Sequence, residues 1–223
     1  MALERAMGMT NGSDCAGLRI ATPDGVELAD LAVLQGLWTE EQYLKLAEVA
    51  DCRLEFTDGC IEILPMVTRA HQAILRYLFL ALNPLVEELG GELFWCGLGL
   101  RTRPGQFREP DLLALIDARD PRNQNQFWHG ADWVLEVVSP GTGGAHRDLV
   151  QKRQDYAEAG IPEYWIVNPL DDTITVLTLA GGRYVEHGLF RPGDYADSPG
   201  LPGLRVDVAA AFAAGEPAGG GTD

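Results

Sequence analysis

Two acidic residues occupy positions where their strands are otherwise apolar. Asp111 follows Pro110 and opens the run to Ile116, and Glu136 lies within Trp133-Val134-Leu135-Glu136-Val137-Val138, where four of its five companions are aliphatic. A carboxylate in a covered strand is costly unless it is paired or bound to a metal. Two carboxylates on neighbouring strands, with a third close by, are a donor set for a hard cation such as Mg²⁺. Glu55, on an earlier short strand, is the candidate third. The competing readings are a buried structural ion pair for Asp111 with Glu136 and an ordinary surface glutamate for Glu55.

Other side chains could serve the same chemistry. Asp148, Lys152 and Tyr156 follow one another at steps of four, so on a helix they stack along one face. Lys152 then either reaches the carboxylates, where an ammonium stabilises charge on a phosphate or orients a water, or pairs with Asp148 at the surface. Leu149 and Tyr156 are expected to face the sheet. Arg101 and Arg103 share a strand face by alternation, with Arg108 close behind, and either contact phosphates or form a solvated face. His71 stands near the start of a long helix, as a contact to a ligand or carboxylate, or as a cap or core-edge histidine. Ser139 to Gly144 lacks the Gly-Lys-Ser/Thr ending of a triphosphate loop and reads as a strand-helix connection.

Regular elements must carry these residues. Thr39 to Gln42 forms a capping box for a helix ending near Ala50, and Arg53–Phe56 with Cys60–Leu64 flanks the Thr57-Asp58-Gly59 turn of a hairpin. Apolar Ile74, Leu75, Leu78, Leu82, Leu85 and Val86 predict a long helix from Thr68 to Leu89, with Pro84 as a possible kink and Gly90-Gly91 as its stop. Strands are predicted at Glu92–Cys96, Leu98–Arg103, Asp111–Ile116 and Trp133–Val138, the last two central. A helix over Ala145–Ala159, stopped by Gly160 and Pro162, precedes a strand at Tyr164–Val167. Asn168 after it reads as turn chemistry. Thr173–Leu179 and Tyr184–Phe190 form a terminal hairpin through Gly181-Gly182. The expected organisation is an extension over 1–37, one domain over 38–212 and a glycine-rich tail over 213–223.

Composition narrows the classes. The chain has 17 basic and 33 acidic residues, a net charge of -16, which opposes a general nucleic-acid coater. A nuclease remains compatible, because a bound metal adds local positive charge. Cys15, Cys52, Cys60 and Cys96 lack zinc-knuckle spacing, and neither a secretory signal nor a membrane-spanning run is present, so a cytoplasmic protein with reduced thiols is expected.

An ordered set of motifs then resembles a known family: Cys52-Arg53-Leu54-Glu55-Phe56-Thr57-Asp58-Gly59, His71, Glu109-Pro110-Asp111-Leu112, Leu135-Glu136-Val137-Val138-Ser139-Pro140, Arg147-Asp148 with Lys152 and Tyr156, and Gly160-Ile161-Pro162-Glu163-Tyr164-Trp165-Ile166-Val167. The chain resembles a restriction-endonuclease family abundant in cyanobacteria, within the PD-(D/E)xK nuclease superfamily. That resemblance implies an α/β, restriction-endonuclease-like fold: a mixed central sheet flanked by helices, an N-terminal helix and hairpin, and a C-terminal β-hairpin. It implies an Mg- or Mn-dependent endonuclease acting on nucleic acid, with DNA as the expected substrate, and a homodimer. By the same resemblance Asp111 and Glu136 are metal ligands, Glu55 a further catalytic acid, and Lys152 the substitute for the lysine the superfamily places at the Val138 position. Substrate contacts fall to His71, Arg101, Arg103 and Tyr156. The -16 charge and Val138 keep open a module that retains the fold without catalysis and binds nucleic acid or protein. A two-carboxylate glycosidase explains neither Pro110-Asp111 nor Lys152.

Overall fold

The computed structural model describes residues 19–21, 27–139 and 147–217, and it forms two compact units, 1–64 and 65–223. In the first, β1 (Arg19–Ala21) pairs antiparallel with β2 (Glu27–Asp30), and a 3-10 turn follows at Leu31–Leu34. The sequence shows no periodicity here because pairing, not an amphipathic face, orders the segment. The Gln35 side chain bonds both the amide and the carbonyl of Ile61, at 2.8 Å each. The capping box on α1 (Glu40–Ala47) forms as expected: Thr39 Oγ1 accepts from the Gln42 amide, and the Gln42 side chain returns to the Thr39 amide. The hairpin of β3 (Leu54–Thr57) and β4 (Cys60–Ile63) turns at Asp58 and Gly59, both with positive φ.

The second unit is built on a six-stranded sheet in the order β13-β12-β11-β10-β8-β5. Its strands are β5 (Glu92–Trp95), β8 (Leu112–Leu115), β10 (Trp133–Val137), β11 (Glu163–Asn168), β12 (Thr173–Ala180) and β13 (Arg183–Phe190). β10 and β11 run parallel and the other pairs antiparallel, the mixed sheet that was expected. Separately, β6 (Gly99–Arg103) pairs with β7 (Gln106–Arg108) and with β9 (Phe127–Trp128).

Alternating side chains on the central strands serve two cores. Leu112, Ala114, Trp133, Leu135 and Val137 pack with Ile74, Leu78, Leu82 and Val86 of α2 (Arg69–Glu88), while Leu113, Leu115, Val134 and Val138 pack with Tyr156. Each fully buried aliphatic contributes about 1.5–3 kcal/mol, so both layers hold β10 firmly. α2 runs through Pro84 and ends at Gly90, whose φ of 87° needs glycine.

The helix expected from Ala145 begins, among the described residues, as a π-helical turn at Arg147–Gln151 and becomes α3 only over Lys152–Glu158. The longer i→i+5 turn rotates the faces, which is why Leu149 is exposed rather than against the sheet. Of the loop from Ser139 to Gly144, all but Ser139 lies outside the described residues. The Gly181-Gly182 hairpin and the Asn168 turn, where Oδ1 accepts from the Leu170 amide, form as the sequence indicates. Absent from the sequence reading were β14 (Tyr195–Asp197), β15 (Arg205–Asp207) and α4 (Val208–Gly215), a helix that runs past Phe212.

Candidate active site

Asp111 sits at the entrance to β8. Pro110 has no N–H and biases Glu109 toward extended backbone, and the Asp111 carbonyl accepts the Cys96 amide at 3.1 Å. Its carboxylate is buried: Oδ2 accepts the Val137 amide at 2.9 Å and lies 3.1 Å from His71 Nε2. His71 occupies the first turn of α2, where Thr68 caps its backbone N–H. The His71 Nδ1 atom is buried with no hydrogen-bond partner among the described residues.

Glu136 lies on β10. The antiparallel register pairs Leu135 with Leu112, and one further step sets Glu136 opposite Asp111. Its Oε1 accepts from Lys152 Nζ at 2.8 Å and from the Tyr156 hydroxyl at 2.6 Å. All three are nearly inaccessible, and the Tyr156 ring stands edge-on to Tyr164 with centroids 5.1 Å apart. Lys152 and Tyr156 therefore meet Glu136 from one face of α3, and the surface pairing of Lys152 with Asp148 does not describe a lysine this deeply buried. Val138 is itself buried in the apolar core, so the cation beside the acid comes from the helix.

Chain segments 40–209 match the Uma2 family, described as "Putative restriction endonuclease". This chain belongs to that family. A crystal structure described as a "putative nuclease belonging to DUF820", from Anabaena variabilis ATCC 29413, superposes with a TM-score of 0.64 at 20% identity, over 80% of this chain and 99% of that one. At that identity the likeness establishes the fold, which is restriction-endonuclease-like as expected. No curated protein matches the chain. Among the described residues no helix is long and apolar enough to cross a membrane.

The arginines fall out differently from the expectation. A bulge in the β6–β7 ladder sets Arg101 against Phe107 and Arg103 against Gln106, adjacent residues facing opposite sides, so the two do not form one stripe. The Arg101 guanidinium lies 5.8 Å from the Phe107 ring centre, and Arg103 donates to the Pro104 carbonyl at 3.0 Å. Arg108 is drawn instead to Asp155 of α3, donating from Nε at 2.9 Å and from Nη2 at 2.7 Å to one oxygen, while Gln106 Nε2 takes the other at 3.0 Å. This clamp was missed. Asp155 lies one turn beyond Lys152, and an acid three residues past the candidate lysine was the available signal.

Glu55 belongs to the N-terminal unit, where it is buried on β3 opposite Glu62. Among the described residues no three His, Cys, Asp or Glu side chains gather into a metal-holding group. The pair Asp111 and Glu136 nevertheless fits a hard divalent ion in kind: two buried carboxylates at facing positions, one of them steadied by the His71 imidazole. Mg²⁺ often takes only one or two carboxylates and fills its remaining positions with water and phosphate.

Proposed function

We propose that this chain is a metal-dependent endonuclease that hydrolyses phosphodiester bonds in DNA. The observation that carries the reading is the meeting of Lys152 and Tyr156 on Glu136, at the strand position facing Asp111. Asp111 and Glu136 would hold Mg²⁺ or Mn²⁺, which when bound supplies Lewis acidity toward the phosphoryl oxygen and the attacking water. The protein's own groups do the rest. The Val137 amide and His71 fix one oxygen of Asp111, and Tyr156 fixes the orientation of Glu136. Lys152 pairs with Glu136 and would present a cation where charge accumulates on the phosphate.

Asp111→Ala and Glu136→Ala are each expected to abolish Mg²⁺- or Mn²⁺-dependent cleavage of a labelled DNA duplex while circular dichroism shows an intact fold. Undiminished cleavage by the folded double variant ends the assignment. The direct 2.8 Å Lys152–Glu136 bond also favours a second reading, in which the pair is self-sufficient and the chain binds nucleic acid or protein without catalysis. Calorimetric titration with Mn²⁺ separates the two: binding lost in Asp111→Ala supports the enzyme, and no binding by the native chain supports the module.

A further inference from the structure

The first half of α2 is basic in an acidic protein. From Arg69 to Val86 it carries Arg69, His71 and Arg76 and no aspartate or glutamate, although acids outnumber bases 33 to 17 over the chain. Arg69, Gln72, Ala73, Leu75 and Arg76 of this helix, with Trp95 at the end of β5, line a cavity of about 410 Å³. That volume is within the range that takes a small ligand.

The aromatic and polar lining groups have the chemistry of nucleotide recognition. Trp95 is 52% exposed, yet its ring is held edge-on to Phe79 with centroids 4.2 Å apart, a fixed indole with its surface turned outward. Arg69 donates to the backbone carbonyls of Gly215 and Glu216, which braces the guanidinium without neutralising it. Among the described residues neither Arg69 nor Arg76 forms an ion pair. Gln72 lies between them on the same helical face and can both donate to and accept from a base edge. The two guanidiniums stand seven residues apart, about 10 Å along the helix, with the indole beside them. A hydrophobic peptide has no use for two arginines, and a free phosphate has none for an indole.

We infer that this cavity binds an unpaired nucleotide, its base stacked on Trp95 and its flanking phosphates on Arg69 and Arg76. The inference deepens the nucleic-acid reading proposed above and rests on it. The cavity is tied to the candidate site through shared backbone: Trp95 pairs with Leu112, Cys96 donates to the Asp111 carbonyl, and His71 rises from the same helix. The substrate class that follows is single-stranded nucleic acid, or a duplex locally opened at the site, since stacking needs a base free of its own pair.

Fluorescence anisotropy of the full chain in EDTA tests this, with a fluorescein-labelled oligothymidylate and a duplex of equal length as probes. The native chain is expected to favour the single strand. Trp95→Ala should weaken that binding about 5- to 150-fold, with Trp95→Phe restoring most of it. Arg76→Gln, at an exposed position, should lower the slope of log affinity against log salt by about 0.7. Unchanged affinity and slope in Trp95→Ala and Arg76→Gln overturn the inference. So does a Trp95→Ala chain that changes only its oligomeric state in light scattering, which would make the indole a contact between copies. Trp95-dependent binding without metal-dependent cleavage would leave the inference standing and remove the enzyme. Cleavage that needs Asp111 but not Trp95 would do the reverse.

Discussion

Two buried glutamates on adjacent parallel strands have opposite surroundings. Glu136 lies near the end of β10 and Glu163 opens β11, three register steps away, opposite Trp133. Each is about 2% exposed. Glu163 is held by neutral dipoles: Trp165 Nε1 donates to Oε1 at 2.5 Å, while the Ser198 hydroxyl and the Gly200 amide donate to Oε2 at 2.9 and 3.0 Å. These bonds tie the 198–200 segment to the sheet, and a Cβ at Gly200 would come within 2.9 Å of Oε2 and push against that carboxylate. Glu136 instead meets an ammonium and a phenol on one oxygen. Dipoles from three directions immobilise a carboxylate, whereas the partners of Glu136 include a full positive charge, which can also serve a substrate phosphate. One end of the strand pair is built to hold and the other, on the function proposed above, to react.

Alanine at each position should separate the two ends. Glu136→Ala should reduce metal-dependent cleavage by about 10³-fold or more, measured on protein shown to be folded. Glu163→Ala leaves the Trp165 and Ser198 donors without their acceptor, at about 1–3 kcal/mol each. It should therefore lower the melting temperature by roughly 4–24 °C, at about 2–4 °C per kcal/mol for a chain of this size. Cleavage per folded molecule should be unchanged. Equal loss of activity in both variants would erase the distinction.

Much of this contrast was legible in the sequence, and the illegible part has a physical reason. An acid flanked by aliphatics reveals Glu136, and Pro110 marks the strand entrance at Asp111, because burial of charge is a strong constraint on local sequence. Glu163 follows Pro162, just ahead of its apolar run, and so reads as part of a turn. Its partners Ser198 and Gly200 lie far along the chain, where no local pattern announces them. The central strands and α2 were readable through their periodicity. β14, β15 and α4 were not: the strands are short, and the alanine-rich helix Val208–Gly215 has no polar face to give a period. The π-helical turn before α3 was equally silent, although it decides that Leu149 faces outward. Arg108 was legible as a charge, as a phosphate contact or part of a solvated face, but not as a clamp, since its partner Asp155 is 47 residues away.

That Arg108–Asp155 clamp offers a subtler way to disturb the reactive end. It braces the helix that delivers Lys152 and Tyr156, and Gln106 is steadied in turn by the Thr102 hydroxyl at 2.7 Å. Asp155→Asn should lower kcat about tenfold with little change in KM, the pattern of a displaced cationic group rather than lost substrate binding. Arg108→Lys, which keeps the charge but not the two-nitrogen grip, should fall between native and Asp155→Asn. A change confined to KM would instead place Arg108 on the substrate.

The smallest expected effect lies at the start of β10, where acids are balanced by arginine. Arg122 donates to Asp120 at 2.7 Å and to Asp132 at 2.6 Å, and the hydrogen bonds from Arg122 hold the Asp120 carboxyl below the usual carboxylate range. A lowered folded-state pKa contributes stability that is complete above the unfolded value, near 3.8, and is lost as pH falls through the folded value. The pair is partly solvated, so the contribution is only a few tenths of a kcal/mol. Asp120→Asn should therefore leave the melting temperature almost unaltered at neutral pH and slightly flatten its dependence on pH as the pH falls below the unfolded value, with cleavage at neutral pH unaffected. An appreciable loss of cleavage in this variant would mean that the two ends of β10 are coupled, and that the holding end also sets the geometry of the reactive one.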